Sequence, residues 1–171
     1  MITNYIAVGV DGSAAARSAL LWAVDECRIR QQMLVIVHAP DQRDAARVRA
    51  SGSRLHSLGE VGEYVLRNHA AAASVRQPSV AVTSRLSHSG PADALTELSE
   101  QADLVVVGSR GHGSSVVSSV LGSVSDRVAA HAQCPVVIVP EAAPRADLAR
   151  VVVGVSSARA GRYRTGNWIP P

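Results

Sequence analysis

Two short segments of this sequence carry residue types that could hold a phosphorylated ligand. Asp11-Gly12-Ser13 closes one apolar run, and Gly108-Ser109-Arg110-Gly111-His112-Gly113 closes another, with Gly122-Ser123 further along. Glycine lets the backbone approach an anion closely, and N–H groups at a helix N-terminus favour phosphate charge. Ser109 and Ser123 add hydroxyl donors, and Arg110 supplies a cation. Asp11 suits a different task, accepting a hydrogen bond from a ribose hydroxyl or an adenine amino group. The same residues would also serve as the turns and caps that any α/β domain needs.

Other chemistry is excluded by what is missing. All 17 basic residues are Arg, so no P-loop lysine, Schiff base or lysine general base can exist. No GxxxxGK[ST] motif occurs, and a receiver domain would lack its lysine. Neither a Ser-Gly-Gly-x-Asp-Ser loop nor a His-x-Gly-His motif is present, which counts against adenylating and pyrophosphate-cleaving enzymes. No Ser-His-Asp arrangement or paired carboxylates stand out. His112 in the loop reads as an exposed turn residue, with a phosphate contact as the alternative, and His131 as a helix C-terminal capping residue. Cys27 and Cys134 have no CxxC partner or metal-ligand spacing and read as buried thiols. The net charge of +3 comes from scattered arginines rather than a basic run, which gives no footprint for nucleic acid.

These segments must be positioned by strands and helices, and the sequence marks both. Tyr5–Val10, Met33–Val37, Leu104–Val107 and Val136–Val139 are short apolar runs bounded by turn residues, the mark of buried strands. Val80–Leu86 is a fifth candidate. Ser13 is a good N-cap for a helix over Ala14–Arg30, with Leu20, Ala23, Val24 and Cys27 on one face and Trp22 packing on the core. Further helices are expected over Glu60–Ala73, from Pro91 to Ala102, and over Ser123–His131; the polar stretch before Glu60 is less defined. Strand–helix alternation implies a parallel sheet with helices on both faces, joined by right-handed crossovers. The core must be aliphatic, since Phe is absent and aromatics make up 3% of the chain. No apolar run nears the roughly 18 residues of a membrane span, and no signal-peptide pattern is present, so the expected location is cytoplasmic.

Beyond Pro140, Val151–Val155 (VVVGV) echoes Ile6–Val10 (IAVGV), with Ser156-Ser157 where Asp11-Gly12 stood. Residues 141–171 therefore read as a linker and a tail resembling the first strand of an incomplete second domain, against a coincidence of two Val-rich runs. Such a strand could pair with a sheet edge or stay loose.

The segment VVVGSRGHG…LGSVSDRVAAHAQCPVVIV resembles the signature of the universal stress protein family, a Gly-x-x-Gly pair followed by Gly-Ser or Gly-Thr. VGVDGS, VHAPD and GPADALTEL–ADLVVVG agree with it, and the likeness covers residues 4 to 140. The resemblance implies an open five-stranded parallel sheet with helices on both faces, Rossmann-like and akin to the adenine nucleotide α-hydrolase fold. It implies ATP as ligand, with magnesium as an accompanying ion, and a homodimer formed through the last strand. Carried over, Val10 and Asp11 would meet adenine or ribose, and Ala39 would make a small apolar contact to adenine. Gly108 and Gly111 would cradle phosphates, and Gly122, Ser123 and the adjacent Val124 would complete the cradle. The chain departs from the pattern at one point: ten residues, HGSSVVSSVL, separate Gly111 from Gly122, one more than the family spacing. The extra residue would either bulge at the loop tip or carry Gly122 and Ser123 out of reach. With binding groups and no evident general base, the expected function is nucleotide binding in a regulatory stress response, with slow or absent turnover. The alternative is a family member that does not bind ATP and acts through dimerisation or partner contacts.

Overall fold

Apolar runs too short for helices become adjacent strands here, and the Ala-rich segments between them become the covering helices. The computed structural model describes residues 4–40, 46, 50, 57–111, 121–141, 152–154 and 164–165. In chain order the elements are β1 (Tyr5–Gly9), α1 (Ala14–Arg30), β2 (Met33–His38), α2 (Leu58–Arg76), β3 (Val82–Leu86), α3 (Pro91–Leu98), β4 (Leu104–Gly108), α4 (Ser123–His131), β5 (Val136–Val139), β6 (Val152–Gly154) and β7 (Arg164–Thr165). Of residues 41–56, only positions 46 and 50 are described, and both are helical.

The sheet order is β3-β2-β1-β4-β5-β6-β7. The first five strands are all parallel, as expected. β6 adds to β5 antiparallel, and β7 adds to β6 antiparallel. The sheet is thus two short strands wider than the five-stranded expectation, and the β5 edge on which the resemblance placed a homodimer contact carries β6.

Strand side chains alternate between two apolar layers. Ile6, Val8, Val10, Leu34, Ile36, Val106 and Val137 pack with Ala19, Leu20, Val24 and Cys27 of α1 and Leu66 and Ala73 of α2. Trp22 lies partly buried against this layer, in the packing role expected of it. Ala7, Val37, Val105, Val107, Val136 and Ile138 pack instead with Ala92, Leu95 and Leu98 of α3 and Val128 and Ala129 of α4. Two buried faces explain why β1, β4 and β5 read as continuous apolar runs. β3 is the exception: it is an edge strand, and Thr83, Ser84 and Arg85 are exposed.

Helix ends follow local chemistry. Ser13 Oγ accepts the Ala16 N–H at 3.1 Å to open α1, and Gln31 ends it in the left-handed region at φ 57°. At α2, Ser57 and Glu60 form a reciprocal capping box. Cys27 is fully buried, and burial foremost pushes its thiol up to about 12. Burial also raises the half-buried Cys134. Among the described residues, no helix is long and apolar enough to cross a membrane.

Candidate functional site

In an open parallel sheet, the strand order reverses at one place, and the crevice there receives ligands at the carboxyl ends of the strands. Here the chain winds from β1 to β2 on one side and returns to β4 on the other, so the crevice lies between the ends of β1 and β4. Both phosphate-type segments of the sequence leave from those two ends.

The β1 side is a tight turn built on three residues. Gly12 adopts φ 83°, a conformation that side chains disfavour, and this turns the chain from strand to helix. Asp11 Oδ1 accepts the Ser13 N–H at 2.9 Å, holding the carboxylate against the turn. Val10 is fixed to the neighbouring strand twice: its N–H donates to Val37 O at 2.9 Å, and its carbonyl accepts from His38 Nδ1 at 2.7 Å. His38 is buried, and its backbone carbonyl accepts from Ser87 N at 2.8 Å. Ala39 follows it, half-buried, just past the end of β2.

On the β4 side, Gly108 meets the start of α1. A Cβ there would stand 2.8 Å from the Ala15 carbonyl carbon and 2.9 Å from Ala16 N. The missing side chain at Gly108 thus serves a backbone-to-backbone contact, whatever else it offers a ligand. Ser109 N–H then donates to Val139 O at 2.8 Å, tying the loop to the end of β5. Gly111 turns back across the crevice, where a Cβ would come within 2.5 Å of Asp11 Oδ2. The two loops therefore meet, the carboxylate of one against the bare backbone of the other.

The ten residues between Gly111 and Gly122 do not carry the second half of the motif away. Gly122 N–H donates to Ser109 O at 2.7 Å, and a Cβ on Gly122 would lie 3.6 Å from Gly111 N. The Ser125 hydroxyl lies 2.9 Å from Gly122 O and 3.2 Å from Ser109 O, binding the first turn of α4 to the loop. Gly122 is the N-cap of α4 and supplies no side-chain cap, so the first-turn N–H groups at Ser123 and Val124 have no intrahelical partner. Ser123 is exposed, whereas the Val124 side chain packs on the α3/α4 layer and leaves only its backbone to the site. Arg110 is exposed beside this helix end. His112, Gly113 and the rest of 112–120 lie outside the described residues.

The structure thus brings together Val10, Asp11, Gly111, Gly122, Ser123 and the Val124 backbone, with Ala39 at the adjoining strand end and Gly108 beneath. His131 takes no part: it is exposed in the last turn of α4, and its Nδ1 donates to Arg127 O at 2.8 Å. Two histidines that sequence reasoning passed over do take part in the surroundings. His38 clamps the β1 and β2 ends, as above. His69 on α2 donates from Nδ1 to Val65 O at 2.7 Å. Burial foremost holds its imidazole below the usual range; His38 and Arg17 push the same way, while the Val65 bond and the Asp11 charge oppose. Local sequence gave no signal for His38, because its bond to Val10 O crosses between strands.

A model of the universal stress protein family matches residues 4–140. A universal stress protein of Mycobacterium tuberculosis is 38% identical over 136 residues, which is 80% of this chain and 45% of that protein. One of Mycolicibacterium smegmatis is 37% identical over 134 residues, 78% of this chain and 45% of that protein. The chain spans about half the length of these curated relatives. Among solved structures, a universal stress protein in complex with cAMP superposes with a TM-score of 0.60 at 27% identity, covering 81% of this chain and 98% of that one. A universal stress protein from Archaeoglobus fulgidus reaches a TM-score of 0.59 at 22% identity over the same shares, a likeness of fold alone.

Proposed function

We propose that this chain, which belongs to the universal stress protein family, binds an adenine nucleotide, ATP foremost, between the ends of β1 and β4. The observation that carries the reading is the closure of the two loops on one crevice. Gly111 stands against the Asp11 carboxylate, and Gly122 returns to Ser109 although ten residues intervene. The similar structure that holds cAMP supports the adenine class of ligand.

Each residue has a task in this reading. Asp11, fixed by Ser13 N–H, presents acceptor oxygens to ribose hydroxyls or the adenine amino group. Val10 and Ala39 line the strand ends where the base would sit. Phosphates would lie on the Gly111 backbone and on the N-terminal N–H groups of α4 at Ser123 and Val124, where the helix dipole favours negative charge. Gly108 supports this cradle by seating α1 close beneath it. Among the described residues no group of three His, Cys, Asp or Glu could hold a metal. Magnesium would arrive with the phosphates of the nucleotide. The groups gathered here bind and orient, so the nucleotide would act as a regulatory ligand of a cytoplasmic stress-response protein, held stoichiometrically and turned over slowly.

The test is nucleotide content. Protein extracted under denaturing conditions should release adenine nucleotide in stoichiometric amount, identified by mass spectrometry, and ATP–magnesium should give a calorimetric binding isotherm. Asp11→Ala and Gly111→Val should both lose it. No retained nucleotide and no binding heat up to millimolar ATP or cAMP would overturn the reading and favour a member acting through protein contacts.

A further inference from the structure

The strand β5 reads VVIV, with Pro135 before it and Pro140 after it. All four side chains are buried, and none is charged. Its inner edge pairs with β4 from Val105↔Val136 to Gly108↔Val139. Its outer edge would present a row of N–H and C=O groups on an apolar strand, the kind of edge that templates pairing with another chain.

The other margins of this sheet are blunted. β3 exposes Thr83, Ser84 and Arg85, and Arg85 pairs with Glu97 at 3.3 Å. β7, the margin beyond β6, is two residues long and begins with an arginine. Short, charged strands are how soluble sheets discourage edge pairing. β5 carries no charged side chain, and it is the strand that β6 covers, with Val136↔Gly154, Val137↔Val153 and Ile138↔Val152 in register.

We propose that residues 152–154 are a built-in edge cap, occupying the β5 edge that a second copy of this chain would otherwise pair with through its own β5. The β6 pairing shows that this edge accepts an antiparallel Val-rich strand, and β5 is itself such a strand. Two copies of β5 can satisfy each other about a two-fold axis, as an isologous contact requires. One edge has one set of hydrogen-bonding groups, so β6 and a second β5 exclude each other. The cap has the advantage of attachment. Residues 140–151 join it to β5 within the chain, and a short connection gives an effective concentration on the order of mM. Against micromolar chain, that favours the cap on the order of a thousandfold for strands of equal intrinsic affinity. The chain is then monomeric while β6 is paired, and self-association is governed by release of β6.

The experiment uses the full chain and a V152P/V153P variant. Successive residues of an antiparallel strand point their N–H groups to opposite sides, so the double change removes whichever one donates to β5. Mass is read by light scattering across a concentration series, with thermal unfolding to confirm that the variant is folded. The native chain should stay at 17.8 kDa through the micromolar range, while the variant doubles in mass with a dimer dissociation constant at least about tenfold lower. Equal association of the two proteins, whether both monomeric or both dimeric, overturns the proposal. Hydrogen exchange on the unmodified chain decides independently of the variant's folding. Amides of 152–154 should be protected at rates independent of protein concentration, and exchange at free-chain rates would overturn the cap. Neither readout involves nucleotide, so the result stands apart from the binding reading.

Discussion

Gly108 and Gly122 belong to one sequence motif, yet the structure gives their missing side chains different reasons, and alanine at each separates them. At Gly108 a methyl group would stand 2.8 Å from Ala15 C, 2.9 Å from Ala16 N and 3.0 Å from Ala15 Cβ. Carbon contacts are comfortable at about 3.5–4.0 Å, so α1 and β4 must part by several tenths of an ångström. The atoms in the way are mainly backbone at the start of a helix that rests on the sheet, and a rotamer change cannot move them. Overpacking of this kind costs about 1–3 kcal/mol. Replacing glycine returns about 0.4–1 kcal/mol by restricting the unfolded chain, since Gly108 is not among the positive-φ residues. The net loss is about 1–2 kcal/mol, which for a chain of this size lowers Tm by about 2–8 °C.

Gly122→Ala meets no such obstacle. Its nearest neighbours would lie at 3.5 Å, and φ −78°, ψ 161° suits alanine. Alanine is a poorer N-cap by about 0.5–1 kcal/mol, and the unfolded-state gain offsets it, so stability should change by less than about 0.5 kcal/mol. Urea and thermal unfolding of both variants without nucleotide measures the contrast. Gly108→Ala unfolding within about 0.5 kcal/mol of the native chain, or Gly122→Ala losing as much as Gly108→Ala, would refute the packing argument.

Two further outcomes follow from the helix ends and the half-buried His69. Ser57→Ala removes the acceptor of the Glu60 N–H at 3.1 Å and half of the capping box, so it should cost about 1 kcal/mol and about 2–4 °C in Tm by scanning calorimetry. His69 is held below its unfolded value of about 6.5 by burial, so the unfolded chain takes up a proton that the folded chain refuses. Stability should therefore be unaffected above that value and fall as the pH drops through it, until the lower folded value is reached. Urea unfolding at pH 7.5 and pH 5.5 should show a smaller pH-dependent loss for His69→Gln than for the native chain; equal losses would remove His69 as the cause.

The legible parts of this fold are those whose cause is local. β1, β2, β4 and β5 could be read because strands buried on both faces must be apolar throughout, and Ser13 announced α1 because an N-cap acts within its own turn. β3 was placed two residues early, at Val80 rather than Val82, since an edge strand with three exposed polar residues carries little periodic signal. α2 proved longer than Glu60–Ala73, extended at its start by the Ser57 capping box and at its end to Arg76. Asp11, Gly111 and Gly122 were legible as loop residues, but their meeting was not. It depends on β1 and β4 lying side by side and on Ser109 holding Gly122, neither of which spacing encodes. His38 escaped notice for the same reason, since its bond to Val10 O crosses between strands.

The tail shows the limit most clearly. A Val-rich echo of β1 is recognisable as a strand from composition, because β-branched residues suit a pleated surface. Its partner is set by which edge of the sheet lacks protection, a property of the assembled fold. β1 itself lies between two parallel neighbours, whereas its echo lies antiparallel on β5, so likeness of sequence did not carry likeness of pairing. The same β5 that receives the tail also holds the glycine loop, through Ser109 N–H on Val139 O. That bond and the β4 ladder act on the inner edge and the end of β5, while β6 takes the outer edge. Removing β6 therefore leaves in place the Ser109 bond to Val139 and the β4 ladder. A V152P/V153P protein should keep the nucleotide affinity of the native chain while changing its mass; loss of both together would mean that the outer edge of β5 supports the loop as well as the tail.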